Sequence, residues 1–184
     1  MILEAPMEAA LDGPVVFLAG PIQFPTSWQD EAIAILGQLD PALHVANPRR
    51  PWNIEALSQR AYEEQVDWET RWLRRAGQDG VVLFWLARER HHRCDRAHAQ
   101  ATRFELAEWN ERARSGEARL VLGIEDGFSG ARYVRRRVGQ DNPRVIIRGT
   151  LEETCRDAVA PSAGASRNGL PSRLAHAGLA RRGR

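Results

Sequence analysis

The chain predicts an α/β fold, a mostly parallel five-stranded sheet held between two layers of helix. Three observations carry the expectation. Short apolar runs alternate with longer stretches of helical period. Val81-Val82-Leu83-Phe84-Trp85-Leu86 is apolar at every position, which requires cover on both faces and suits the centre of a parallel sheet. The first two runs end at chain-turning pairs, Gly20-Pro21 and Asn47-Pro48. Strands joined through helices in this way cross over on both faces and make a three-layer sandwich.

Each element follows from its own stretch. Residues 1–13 read as a loosely held lead-in, 14–160 as the folded domain, and 161–184 as a basic, disordered tail of Ala, Gly, Ser and Arg. Val15 to Ala19 is the first strand. A helix from Ser27 to Leu39 follows, with Ala32, Ile35, Leu36 and Leu39 on one face. His44 to Ala46 is a second, weak strand. Ala56 to Ala76 reads as a helix with an apolar stripe through Tyr62, Val66, Leu73 and Ala76, and Gly77-Gln78-Asp79 as a turn leading into the central strand. A polar loop from Arg88 to Ala101 precedes the helix that holds Glu105. Arg119 to Gly123 and Val145 to Ile147 supply the fourth and fifth strands.

Composition removes several functions. The chain has 184 residues and 27% charged residues, and every one of its 26 basic residues is Arg. Without Lys there is no Schiff base, no pyridoxal-phosphate attachment and no P-loop ammonium. Five of the Arg follow Pro161, where no acid occurs, which leaves 21 against 24 acids before it, a net of −3. A mildly acidic body argues against nucleic acid as a partner. No run is long enough to cross a membrane, no signal peptide is visible, and only Cys94 and Cys155 are present, so the expected location is cytoplasmic. No Gly-x-Gly-x-x-Gly follows the first strand, and His91, His92, Cys94, Asp95 and His98 match no zinc spacing, so neither cofactor nor metal is expected.

Ligands of such sheets sit outside the carboxyl ends of the strands. Glu105 falls there, in the expected first turn of a helix, where the helix dipole favours an ionised carboxylate. It is either a solvated helix acid or a nucleophile or base. Glu69 lies on the apolar stripe of the preceding helix, where an acid is costly unless it is paired with an inward Arg or employed in chemistry. Asp67, off that stripe, stays among the candidate catalytic acids. Two carboxylates converging on a cleft are the apparatus for cleaving a glycosidic bond. Gly20 and Pro21 allow close backbone approach. Phe24, Trp28 and Trp52 can stack on a base or simply pack. Arg49 and Arg50 can hold a phosphate, hold a polar base edge, or lie on an ordinary surface.

Five segments in order resemble the nucleoside 2-deoxyribosyltransferase family: Val16-Phe17-Leu18-Ala19-Gly20-Pro21-Ile22, Ala46-Asn47-Pro48-Arg49-Arg50, Gln65-Val66-Asp67-Trp68-Glu69, Val81-Val82-Leu83-Phe84-Trp85 and Thr102-Arg103-Phe104-Glu105-Leu106-Ala107-Glu108. The resemblance implies a flavodoxin-like sheet and a covalent mechanism. Glu105 attacks C1′ of a 2-deoxyribosyl group, Glu69 protonates the departing base, and another base or water resolves the glycosyl-enzyme. Phe104 and Leu106 then anchor the helix while Glu105 faces the cleft. The expected ligands are a nucleoside or nucleotide and a free nucleobase. Their candidate contacts are Gly20, Pro21, Ile22, Trp28, Asn47, Arg49, Arg50 and Tyr133. The family also implies a homo-oligomer, a dimer or larger, in which Phe128 to Tyr133 completes a neighbour's pocket. The alternatives are a nucleoside or nucleoside 5′-monophosphate N-glycohydrolase, and a non-catalytic nucleotide-sensing or partner-binding domain.

Overall fold

A computed structural model describes residues 1–22, 27–50, 58–95 and 97–160. Its elements in chain order are β1 (Ile2–Glu4), β2 (Val15–Ala19), α1 (Trp28–Leu39), β3 (His44–Asn47), α2 (Gln59–Asp79), β4 (Val81–Leu86), α3 (Gln100–Arg114), β5 (Leu120–Ile124), α4 (Ala131–Asp141), β6 (Ile147–Arg148) and α5 (Leu151–Val159). All six strands are parallel in the order β1-β3-β2-β4-β5-β6. This is the flavodoxin-like three-layer sandwich, with one strand more than the five expected.

The additional strand corrects the reading of the lead-in. Ile2, Leu3 and Glu4 pair in register with Val45, Ala46 and Asn47, and Leu3 is fully buried. The Trp68 indole donates to the Met7 carbonyl at 2.7 Å, and Glu8 pairs with Arg71 at 2.5 Å. Three residues show no periodicity, so only the waiting edge of β3 makes a strand of them.

The pleat of β4 divides the core. Val82, Phe84 and Leu86 face one side with Trp68, Trp72, Leu106 and Trp109 of α2 and α3. Val81, Leu83 and Trp85 face the other with Ala32 and Leu36 of α1 and Cys155 and Ala158 of α5. Helix starts are set locally. Ser27, Ser58 and Thr150 each cap a helix by accepting a backbone N–H, from Asp30, Ala61 and Glu153 respectively. Such caps are worth about 1 kcal/mol apiece.

Two expectations about α2 fail. Its buried residues are Gln65, Trp68, Trp72, Leu73, Ala76 and Gly77, whereas Tyr62 and Val66 are exposed. The stripe is thus displaced around the helix toward the two tryptophans, which have more area to bury. The helix also runs on through Gly77-Gln78-Asp79 instead of turning there. Gly77 is tolerated because a Cβ at that position would collide with the Trp109 ring of α3.

Candidate active site

The strand order reverses between β2 and β4, the crevice where open α/β sheets bind ligands. The chain reaches it at Gly20 and Pro21 after β2, and at Ala87 after β4. A Cβ on Gly20 would strike the Trp85 carbonyl and the Trp28 ring, so only glycine lets the three segments close up. The Trp28 indole donates to the Pro21 carbonyl at 2.9 Å and is buried, so it fastens this turn and is not free to stack on a base. Phe24 and Trp52, the other two stacking candidates, lie outside the described residues.

Helix α2 ends at the amino edge of the sheet and runs antiparallel to the strands. Six strand residues span about 20 Å, the rise of about 13 helical residues. Counting back from Asp79, Glu69 arrives near the carboxyl edge. Gln65, one turn earlier on the same face, donates from Nε2 to Glu69 Oε1 at 2.6 Å and to the Pro48 carbonyl at 2.7 Å. Its Oε1 accepts from Arg50 Nε. A single buried amide thus holds a guanidinium and a carboxylate side by side. Burial pushes the Glu69 pKa up; the Gln65 hydrogen bond and the Arg50 charge pull it back in part.

Glu105 comes from α3, on the same side of the sheet as α2. Helix α3 starts at Gln100, after Ala99 in a left-handed conformation with φ 56°, so Glu105 occupies the second turn and not the expected first. The backbone donors of the first turn are therefore not at its disposal, and burial governs it instead. Its pKa is raised from 4.5 to about 7, first by desolvation, then by the charges of Glu69 and Glu108. No donor among the described residues offsets this. The Glu69 charge contributes to this shift, so the two carboxylates, carried on different helices, lie close to one another. Anchoring also differs from expectation: Leu106 is buried, but Phe104 is 76% exposed. The start of α3 is tied instead by Arg103, which donates to the carbonyls of His98 at 3.4 Å and Ser129 at 2.7 Å and lies over the Phe128 ring.

The remaining candidates divide. Asp67 is exposed and lines a shallow surface with Thr70, Arg71 and Arg74 on another side of α2, so it does not join Glu69. Asn47 is buried and accepts the Arg49 backbone N–H at 3.1 Å, which shapes the turn after β3. Arg49 reaches Asp30 of α1 at 2.8 Å. Its neighbour Arg50 is only 4% exposed, and its Nη2 is buried with no hydrogen-bond partner among the described residues. Pro21 is buried and Ile22 half-buried beside the crevice. Tyr133, 70% exposed, stands near the start of α4, while Phe128 packs within its own chain against His98.

Gln65 carried no functional role in the sequence reading. Its signal was a polar residue four before Glu69, on a helix face that the corrected stripe makes internal. In the loop after β4, His98 shares a hydrogen bond with the Ala87 carbonyl at 2.9 Å, His92 pairs with Glu89 at 3.1 Å, and Arg93 with Asp95 at 2.6 Å. Among the described residues no helix is long and apolar enough to cross a membrane.

No curated protein matches the chain. A family model described as nucleoside 2-deoxyribosyltransferase like matches residues 13–127. That span runs from the start of β2 past β5, includes both Glu69 and Glu105, and covers more than half of the 184 residues. The chain therefore belongs to the nucleoside 2-deoxyribosyltransferase-like family.

Proposed function

We propose that the protein cleaves the N-glycosidic bond of a 2-deoxynucleoside and transfers the sugar to another nucleobase through an ester on Glu105. The observation that carries this reading is the pair of half-buried carboxylates, Glu69 and Glu105, close together on neighbouring helices at the carboxyl edge of the sheet, with both pKa values raised. Two neighbouring carboxyls out of water resist ionising together, so near neutral pH the pair retains a proton. The reactive form places that proton on Glu69 and leaves Glu105 anionic. Both placements carry the same net charge, and a basic ring nitrogen set against Glu69 favours the reactive one.

In the first half-reaction a Glu105 oxygen forms a bond to C1′ as the bond from C1′ to the base nitrogen breaks. The electron pair of that bond goes to the base, which takes the proton from Glu69. The second half-reaction reverses these moves with a new base, and Glu69 recovers a proton from it. Gln65 keeps the Glu69 carboxyl oriented through both halves. Self-association belongs to the same reading, with exposed Phe104 and Tyr133 as contact residues; sedimentation that shows a monomer at micromolar concentration would refute that part.

The test is to incubate the protein with a deoxynucleoside and a second free base. A new nucleoside is the expected product. Free sugar with base would reassign the site to hydrolysis, and no turnover across purine and pyrimidine donors would overturn the enzymatic reading. Mass spectrometry after a 2-fluoro-2-deoxynucleoside should show a sugar adduct on the peptide containing Glu105. An adduct on another residue would remove the nucleophile assignment.

A further inference from the structure

Arg50 holds a polar group that the mechanism above does not use. Its guanidinium is nearly fully buried, its Nε is spent on Gln65, and its Nη2 has no partner among the described residues. A buried N–H of a charged group left bare is costly, and a bound acceptor would remove the cost. The same Gln65 amide carries Glu69 on its other end, so the bare donor is held beside the carboxyl that hands a proton to the departing base.

We propose that Arg50 reads an exocyclic oxygen on that base, and that the preferred substrates are deoxynucleosides of 6-oxopurines. The inference rests on the N-glycosidic reading above. In a 6-oxopurine, N7 and O6 are adjacent acceptors on one edge. Glu69 gives its proton to N7 while Arg50 Nη2 donates to O6. The C1′–N9 electron pair enters the ring as Glu105 bonds to C1′, and Arg50 neither gains nor loses a proton. A 6-aminopurine presents N–H donors at the same place, so its amino group would face the Arg50 donor without an acceptor between them. A phosphate fits this position less well. Its charge would lie beside two carboxyls, whereas an exocyclic oxygen accepts from Nη2 without adding charge.

The experiment compares 2-deoxyinosine with 2-deoxyadenosine as sugar donors to one common free base, in the full-length protein and in Arg50→Met and Arg50→Lys. The expected kcat/KM ratio favours deoxyinosine by at least about tenfold in the unaltered protein, the worth of one hydrogen bond to a charged group. In Arg50→Met the ratio collapses toward one, whatever the loss in absolute rate. A role confined to holding Gln65 and Glu69 would lower both substrates together and keep the ratio; that result overturns the proposal, as does a ratio near one in the unaltered protein. If only 5′-monophosphate donors react and Arg50→Met removes that requirement, Arg50 reads phosphate and the proposal fails. Calorimetric titration of Glu105→Ala with free hypoxanthine and free adenine gives a readout independent of turnover. Tighter hypoxanthine binding supports the proposal even if Arg50→Met does not fold, and equal binding overturns it. Absence of turnover with every nucleoside counts against the parent reading alone, since the base titration still reports on Arg50.

Discussion

Replacing Glu105 by Gln should stabilise the protein increasingly above about pH 4.5, with the full effect reached above about pH 7. Desolvation, with Glu69 and Glu108 nearby, raises the Glu105 pKa from 4.5 to about 7. At about 1.4 kcal/mol per decade, this corresponds to about 3 kcal/mol between the protonated and ionised forms, less whatever water screens at the half-buried edge. The sign follows from proton binding. Between pH 4.5 and about 7 the folded chain holds this proton more tightly than the unfolded chain. The contribution to stability is therefore complete below 4.5 and lost as pH rises through about 7. Gln imitates the protonated acid and has nothing to lose. Thermal melts of the two proteins should nearly coincide at about pH 5 and separate by about 6–12 °C at about pH 8.5, given 2–4 °C per kcal/mol for a domain of this size. Activity in the unaltered protein needs Glu105 ionised while Glu69 keeps the pair's one proton; kcat/KM should therefore fall about tenfold per pH unit above about 7, where that proton is lost. A melting difference that does not change with pH would mean that Glu105 is solvated, and a rate that stays level above about 7 would mean that the pair gives no proton; either result would refute the reasoning.

Glu69→Gln should lower kcat by about 10²–10⁴-fold for donors with poor leaving bases, and should remove the fall in rate above about 7, since the variant has no proton to give; an unchanged profile would separate Glu69 from the reaction. Asp67→Asn, at an exposed position on a different side of α2, should leave kcat/KM within about twofold, and a large loss would restore it to the site. Gly77→Ala should cost about 1–3 kcal/mol in denaturant unfolding, since the new methyl meets the Trp109 ring. Ser27→Ala should cost about 1 kcal/mol through loss of the α1 cap.

Much of the fold was legible because its determinants are local. Apolarity on both faces identified β4 as the central strand, Ser27 marked the start of α1, and Gly20-Pro21 ended β2 at the crevice. The two acids of the candidate site, Glu69 and Glu105, were also readable from their neighbours in sequence. Their environment was not. Glu105 reads as an acid kept ionised by a helix terminus, but α3 begins earlier, and desolvation raises its pKa to about 7 instead.

The sequence by itself determined the order of strands and helices and the acids available at the carboxyl edge, because periodicity, capping and chain-turning residues act over a few residues. Only the tertiary structure decided which side of α2 is internal, that Ile2–Glu4 extends the sheet, and which of two consecutive arginines enters the interior. Arg49 and Arg50 are chemically the same in the sequence. One meets Asp30 on α1, and the other is enclosed beside Gln65 and Glu69. Strand pairing, desolvation and charge coupling are sums over neighbours far apart along the chain, and they acquire values only when the chain has folded.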